Sequence, residues 1–317
     1  MGRSDRAFLI GVLVFCALGW GLSIPVGKVA VSQGYRHVGI IFWQFVIGAV
    51  VLGLFNLARR RGLPWHPRAL RFYLVIALIG TLLPNTASYT AAIHLPAGVI
   101  ALLIASVPMI AFPMALIWRL DRFSPARLAG LGLGMLAVIL IAAPETSLPD
   151  PAMLTWLPVG LIAPIFYAFE ANYVSVRQPD DLDAVQALLG ASLVGTPLAL
   201  LGALVTGEWI SPLPPWGAPD LAIGIASLGH ALSYATYVWL LRRAGAVFAA
   251  QVAYLVTGFA VFWSWVLLGE TYSTWVWAAF AVMFAGLFLV QPKPRAPLVV
   301  TGALGKDTTD VMGRDGT

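Results

Sequence analysis

Long apolar runs separated by short polar turns make up most of this chain of 317 residues. Ten such runs lie at about 7–31, 38–57, 70–93, 96–118, 126–143, 154–177, 183–206, 220–241, 246–268 and 273–291. Most of them approach the ~20 residues that a helix needs to cross the hydrocarbon core of a bilayer. The pattern therefore predicts an all-α integral membrane protein with ten transmembrane helices.

Composition agrees with a membrane protein, because 60% of the residues are hydrophobic and only 10% are charged. Soluble domains carry about 25% charged residues, so a soluble fold is close to excluded. The net charge of +5 is compatible with nucleic-acid binding, but the basic residues lie in short loops between apolar runs. That distribution is typical of membrane orientation. We therefore expect the lipid bilayer, and no nucleic acid, as a partner.

The basic residues also predict which loops are cytoplasmic. With the N-terminus inside, only Lys28 and Arg36 of the 19 basic residues fall on the outer side, as the positive-inside rule requires. We expect a multi-pass protein of the bacterial inner membrane with both termini in the cytoplasm. The polar stretch 292–317 would then be a cytoplasmic tail, and its composition predicts disorder.

A weak internal repeat divides the chain into two halves. Asp121 and Glu270 each follow an apolar run and are 149 residues apart (270 − 121). The same shift pairs Gly80 with Gly229, Ser124 with Ser273, and Lys28 with Arg177. Five helices per half is an odd number, so the second half must enter the membrane inverted. The predicted units are a first repeat at 1–143, an outer linker at 144–153 and a second repeat at 154–291.

Short motifs within the runs support this division. The first run contains Trp20-Gly21 with Lys28 seven residues after the glycine, and the ninth ends in Leu268-Gly269-Glu270. With these motifs the chain resembles the EamA-like transporters of the drug/metabolite transporter superfamily. The resemblance implies two five-helix repeats and transport by alternating access. It does not specify the substrate, because related transporters carry amino acids, other metabolites and drugs.

The family signature is divided between the two halves. Its fourth and ninth helices end in Leu-Gly-Glu, with a proline thirteen residues before the glutamate and a glycine nine after it. The first half keeps Pro108 and Gly130 but has Leu120-Asp121 in place of Gly-Glu. The second half keeps the Leu-Gly-Glu but replaces the proline with Thr257 and the glycine with Ala279.

Glu170 is the strongest candidate for a functional residue, because it is the one acidic residue well inside a run. A charge at the bilayer centre costs about 2.5–3.5 kcal/mol on insertion scales, so its presence needs a reason. Tyr167 and Tyr173, three residues before and after it, share its helix face. Glu170 would pair with a substrate cation or titrate with a proton. The alternative is a salt bridge to Arg177 or to another arginine of the inner face.

Two polar stripes are expected to line one central cavity. The eighth run carries His230, Tyr234 and Tyr237, and the third carries Thr81, Asn85, Ser88 and Tyr89. Polar faces in otherwise apolar spans point away from lipid. His230 would contact substrate or relay protons, or would be a neutral histidine hydrogen-bonded between helices.

The remaining candidate substrate contacts are Trp20, Ser23, Lys28, Gln44, Gln251 and Tyr254. Trp20 would close over a substrate or be a packed aromatic residue. Lys28 would pair with a substrate carboxylate or extend its amine to the outer interface. Gly130, Gly132 and Gly134 allow close helix packing, either within one subunit or in a dimer.

The combined pattern favours a secondary transporter that exports small metabolites, with amino acids or related amphiphilic compounds as the first expectation. Coupling would be to protons or to substrate exchange. The alternatives are a non-transporting assembly or sensor subunit and an intramembrane enzyme. HExxH is absent, no pair of acids lies within the runs, and Cys16 is the single cysteine, so we expect no enzyme, metal site or cofactor. A Walker A motif is also absent.

Overall fold

The computed structural model describes residues 3–120, 122–142, 148–244 and 252–290, and this part of the chain is helical without strands. It contains ten apolar helices, of which eight are long enough to cross a membrane and two are shorter. They are α1 Arg3–Ser32, α2 His37–Ala58, α3 Pro67–His94, α4 Ala97–Ile117, α5 Pro125–Ala142, α6 Leu157–Arg177, α7 Ala184–Thr206, α8 Ala218–Ala244, α9 Val252–Leu268 and α10 Thr274–Val290. The predicted ten-helix membrane fold is therefore confirmed.

Helix contacts follow the order of two inverted five-helix repeats. Helix α1 packs against α8 and α9, and its counterpart α6 packs in the same way against α3 and α4. Helix α2 packs against α8, and its counterpart α7 packs against α3. Three helices also pack directly against their own counterparts in the other repeat: α2 against α7, α4 against α9 and α5 against α10. Exchanging each helix for the one five positions away therefore reproduces the packing, as a pseudo-two-fold axis requires.

Proline coincides with irregular backbone in two helices. In α3, Ala77–Leu82 widen into a π-helical turn just before Pro84. Pro84 has no N–H, and its ring collides with the carbonyl of the residue four positions earlier, which is Gly80. In α4, the helix breaks at Ser106, two residues before Pro108, into Ala97–Ala105 and Val107–Ile117. Single π-helical turns, such as the one in α3, are frequent at functional sites.

One face of the bundle carries the loops 33–36, 207–217 and 269–273. We call it the outer face, following the predicted orientation, and the opposite one the inner face. The Tyr35 hydroxyl donates to Asp220 Oδ1 at 2.6 Å, and the backbone N–H of Val38 donates to Glu208 Oε2 at 2.9 Å. The bond to Asp220 raises the pKa of Tyr35 to about 12, so the phenol stays protonated and keeps donating.

The inner face carries contacts that the repeat relates to those of the outer face. Arg59 at the end of α2 forms an ion pair with Asp183, the N-cap of α7. His66 Nε2 lies 3.0 Å from Asp181 Oδ2 in the loop before α7. Arg59 and Glu208 are themselves 149 residues apart (208 − 59). The α2–α7 pair is thus tied at both faces by contacts that the repeat relates to each other.

Candidate functional site

A chain of hydrogen bonds crosses the centre of the bundle and joins helices of both repeats. The Tyr167 hydroxyl of α6 donates to Asn85 Oδ1 of α3 at 2.6 Å. Asn85 Nδ2 donates to Gln44 Oε1 of α2 at 3.1 Å, and Gln44 Nε2 donates to the Tyr89 hydroxyl. Four of the predicted site residues therefore meet, although they come from three helices.

The Tyr89 ring also reaches the first helix. A Cβ at Gly27 of α1 would lie 3.0 Å from Tyr89 Cε1, so a larger residue at this position would require the tyrosine ring to move slightly. Tyr89, Asn85, Gln44 and Tyr167 are all half-buried. They form a polar surface between helices in a bundle whose core is mainly apolar.

Glu170 lies one turn below Tyr167 on α6, and its carboxylate rests against Gly80 of α3. A Cβ at Gly80 would come within 2.6 Å of the Glu170 carboxyl carbon. The carboxylate is also within electrostatic range of the Tyr167 and Tyr234 hydroxyls. No described residue forms a hydrogen bond or an ion pair with Glu170. We call Gln44, Asn85, Tyr89, Tyr167 and Glu170 the central site.

The alternative of a salt bridge from Glu170 to Arg177 is not what the structure shows. Arg177 is exposed at the inner end of α6, and none of the described residues forms an ion pair with it. The neighbour that the structure shows is Gly80, and helical spacing within α6 gave no signal for it. The repeat pairs Gly80 with Gly229 of α8, where an added Cβ would lie 3.5 Å from the Gly19 carbonyl oxygen of α1, an ordinary van der Waals distance. The repeat therefore does not reproduce the close contact at Gly80.

His230 borders open space within the bundle. The large exposed apolar residues of α8 form one stripe, Leu221, Ile225, Leu228, Leu232 and Trp239, which is its lipid-facing side. His230 is two residues from both Leu228 and Leu232, about 200° around the helix from that stripe. It is nevertheless exposed. Its exposed surface therefore faces the interior of the bundle and not the lipid.

Aromatic rings of α1 and α8 stand beside this histidine. The Trp20 ring centroid lies 6.2 Å from that of His230 and 5.3 Å from that of Tyr237. Trp20 Nε1 is buried and has no hydrogen-bond acceptor among the described residues. The Tyr234 hydroxyl donates to the Ala184 carbonyl at the start of α7, at 3.2 Å. These residues form a wall next to the central site, and among the described residues none of their side chains forms a hydrogen bond with it.

The other predicted residues have different surroundings. The Ser23 hydroxyl donates to the Trp20 carbonyl at 2.6 Å, within its own helix. Tyr173 stacks on Phe72 with ring centroids 5.9 Å apart. Thr81 and Ser88 are half-buried on α3. Gln251 lies outside the described residues, and although Tyr254 belongs to α9, its side chain lies outside them too.

Lys28 lies away from the central site, in a cluster at the outer face. Its Nζ is 3.0 Å from Glu270 Oε1 and donates to the Leu95 carbonyl at 2.7 Å. Glu270 Oε1 also accepts from the Ala97 N–H at 2.8 Å. Glu270 Oε2 accepts from the Gly98 N–H at 3.2 Å and from the Tyr272 hydroxyl at 2.7 Å. We call Lys28, Ala97, Gly98, Glu270 and Tyr272 the outer cluster.

A cavity of about 550 Å³ lies between α9 and α10, lined by aromatic rings that include Trp265, Trp277 and Phe280. It contains none of the residues of the central site. Trp265 and Trp277 are more than 40% exposed on the periphery of the bundle, so this cavity opens toward lipid. Among the described residues, no group of three His, Cys, Asp or Glu side chains could hold a metal ion.

Comparisons with known proteins agree with this architecture. The model of the EamA-like transporter family matches residues 7–143 and again residues 154–291. The uncharacterized inner membrane transporter YedA of Escherichia coli K12 is 25% identical over 289 residues, which cover 89% of this chain and 90% of YedA. A probable terminal-alkyne amino-acid exporter of Streptantibioticus cattleyicolor is 24% identical over 291 residues, covering 89% of this chain and 93% of that protein.

A crystal structure of a protein 16% identical to this one shares its fold. The two superpose with a TM-score of 0.61, covering 91% of this chain and 96% of the other. The family match covers nearly all of the described helices, and the relatives named above are transporters. The chain therefore belongs to the EamA-like transporter family: it is a multi-pass membrane transporter and not an enzyme.

Proposed function

We propose that this protein is a secondary transporter that exports small metabolites, amino acids or related amphiphilic compounds, by alternating access around the central site. The observation that carries the proposal is the chain of hydrogen bonds between both repeats, beside a carboxylate for which the described residues supply no hydrogen bond or ion pair. Transporters with inverted repeats bind substrate near the bilayer midplane, at the interface between the repeats.

The chemistry of the central site favours a substrate with an ammonium group. Among the described residues around the site, Glu170 is the one charged side chain. Lys28, the other charged candidate, lies at the outer face, where it is paired with Glu270. A carboxylate without a partner in a membrane interior is stabilised by a bound cation. The amide and hydroxyl groups of Asn85, Gln44 and Tyr167 can exchange hydrogen bonds with the polar parts of the same substrate.

The amino-acid exporter of Streptantibioticus cattleyicolor makes an amino acid a reasonable first substrate to test. The cation that pairs with Glu170 would be the substrate ammonium group or, between transport cycles, a proton. In this proposal the protein lies in the inner membrane with both termini in the cytoplasm. The proposed domain limits are those of the sequence analysis: repeats at 1–143 and 154–291, with an outer linker at 144–153 and a cytoplasmic tail at 292–317.

Substrate exchange in proteoliposomes tests the proposal. Vesicles loaded with an unlabelled amino acid should take up the same labelled amino acid, tested across a panel of neutral and basic amino acids. Glu170→Gln should reduce exchange roughly 10-fold or more, because a hydrogen bond to a charged group contributes about 1.5–3 kcal/mol. Asp180→Asn makes the same chemical change in an exposed inner loop and should leave exchange unchanged.

Three outcomes would count against the proposal. Absence of exchange for the whole panel, together with a stably co-purifying membrane partner, would instead indicate an assembly or sensor subunit. Exchange that Glu170→Gln leaves intact would remove this carboxylate from substrate binding. Exchange reduced equally by Asp180→Asn would show that the assay reports loss of charge in general. Repeating the exchange with an imposed pH gradient separates proton coupling from simple exchange.

A further inference from the structure

The outer cluster joins three helices through one carboxylate. Glu270, directly after α9, accepts hydrogen bonds from Lys28 of α1 and from the first two backbone N–H groups of α4. The N–H groups in the first turn of a helix have no partner within the helix and carry partial positive charge. Glu270 is therefore held by an ammonium group, a helix N-terminus and the Tyr272 hydroxyl at the same time.

The local sequence is built for this arrangement. Gly269 has a φ of +63°, a left-handed conformation that glycine adopts without a steric penalty. It ends α9 and turns Glu270 toward the first turn of α4. At that turn, a Cβ on Gly98 would lie 2.5 Å from Tyr272 Cζ, so only glycine leaves room for the tyrosine. Burial and the bond to Glu270 raise the pKa of Tyr272, so its hydroxyl remains a donor.

The equivalent position at the inner face is different. The repeat relates Lys28 of α1 to Arg177 of α6 (177 − 28 = 149). The Lys28 side chain is 19% exposed and forms an ion pair, whereas Arg177 is exposed and forms no ion pair with a described residue. Asp121, the repeat partner of Glu270, lies outside the described residues. Among the described residues, an ion pair therefore holds the outer end of the first helix, and no ion pair is found at the inner end of its counterpart.

We propose that the outer cluster is a latch, which closes the outer end of the transport path in this conformation and must separate before the path opens outward. The proposal rests on the proposed transport function and adds the element that controls access from outside. It also assigns Lys28 to gating instead of to substrate binding.

The position of the cluster suits a contact that breaks repeatedly. It lies at the level of the loops on the outer face, and water can therefore solvate both the ammonium group and the carboxylate when they separate. Neither charge would be left in hydrocarbon, where an unpaired charge is costly. Because Glu270 belongs to the second repeat and Lys28 to the first, the bond joins two parts that must move relative to each other in alternating access.

The test measures access to the central site without requiring transport. Cys16 is the single cysteine of the chain and is buried, so Cys16→Ala gives a cysteine-free background. Ser88→Cys then places a reporter on the polar stripe of α3, between Asn85 and the outer end of that helix. A membrane-impermeant maleimide is added to the outside of intact cells, and the rate of labelling of the reporter is measured.

We expect Glu270→Gln and Lys28→Met each to accelerate labelling about tenfold, because loss of a charge-assisted bond shifts the population toward the open state. Glu270→Asp, which keeps the charge, should fall between these variants and the parent. Asp150→Asn is the control: it also neutralises a carboxylate at the outer side, but Asp150 is exposed and accepts from the Ala152 N–H two residues away, within its own segment. It should not change the rate.

Unchanged labelling in both Glu270→Gln and Lys28→Met would overturn the latch, as would an equal increase in Asp150→Asn. Two variants are used so that one that fails to fold, detected by size-exclusion chromatography, does not decide the result. The readout is independent of the proposed function. Accelerated labelling without amino-acid exchange would reject the transport proposal and keep the latch, and exchange with unchanged labelling would do the opposite.

Discussion

Two glutamates of the second repeat, Glu170 and Glu270, have opposite surroundings. Glu270 accepts four hydrogen bonds, from Lys28, two backbone N–H groups and Tyr272. Glu170 has no hydrogen-bond or ion-pair partner among the described residues. A satisfied carboxylate holds the protein in one arrangement, whereas an unsatisfied one inside the membrane is available to a ligand. This difference is why we propose stability and gating for Glu270 and substrate binding for Glu170.

The largest expected effect concerns how Glu170 is held. Gly80→Ala places a methyl group where the Glu170 carboxylate lies, and we expect it to reduce amino-acid exchange roughly 10- to 100-fold. A misplacement of about 1 Å in a binding group can have an effect of this size. The measurement is exchange in proteoliposomes. Gly224→Ala on α8, where a Cβ meets nothing within 4 Å, is the control and should behave like the parent.

A compensating change makes this prediction sharper. Glu170→Asp shortens the side chain by one methylene group and should relieve the collision with Ala at position 80. The double variant Gly80→Ala/Glu170→Asp should therefore exchange faster than Gly80→Ala alone. If the second change does not improve exchange, the glycine acts through helix packing and not through the position of the carboxylate.

The next effect separates the two glutamates by stability. Glu270→Gln should lower the free energy of unfolding by about 1–3 kcal/mol, because Lys28 then loses a charged partner in a half-buried position. Glu170→Gln removes a carboxylate that forms no hydrogen bond or ion pair with any residue the structure describes, so stability should be unchanged or higher. Apparent unfolding temperatures in detergent, measured at equal protein and detergent concentrations, compare the two. A larger loss for Glu170→Gln would reverse our assignment.

The smallest effect concerns the turns after α9 and α4, which the repeat relates. Gly269 has a φ of +63° and Arg119 a φ of +57°, and the left-handed conformation costs a non-glycine residue about 1–2 kcal/mol. Gly269→Ala should therefore destabilise the protein by about 1 kcal/mol, whereas Arg119→Gly should stabilise it by roughly 0.5–1 kcal/mol. Unfolding temperatures that shift in the same direction for both variants would contradict this view of the turns.

The fold could be predicted from the sequence, because the length of an apolar run is a local property. The thickness of the bilayer determines which runs are long enough to form transmembrane helices. The ten predicted runs correspond to the ten helices, including the short α5 at Pro125–Ala142. The polar stripes were equally local, so Asn85, Tyr89 and Tyr167 could be selected by helical spacing. That they bond to one another and to Gln44 depends on how helices pack, which spacing within one helix does not specify.

The contacts between distant segments could not be predicted. Lys28 and Glu270 are separated by 242 residues, and each alone is compatible with a residue that extends into the interface. Glu170 and Arg177 are seven residues apart on one helix face, which left a salt bridge between them open as the alternative to a functional carboxylate. The wide turn of α3 instead brings Gly80 against the carboxylate. Pro84 indicates an irregular helix, but not which neighbour the irregular turn will contact.

The most direct test of the account is to label the Ser88→Cys reporter from each side of the membrane, with the outer cluster intact and Cys16 replaced by alanine. Right-side-out and inside-out vesicles are treated with the same impermeant maleimide. We predict labelling at least about tenfold faster from the cytoplasmic side, since the outer end is closed in the favoured state. Equal rates from both sides, or faster labelling from outside, would contradict the outer-closed arrangement of the two repeats.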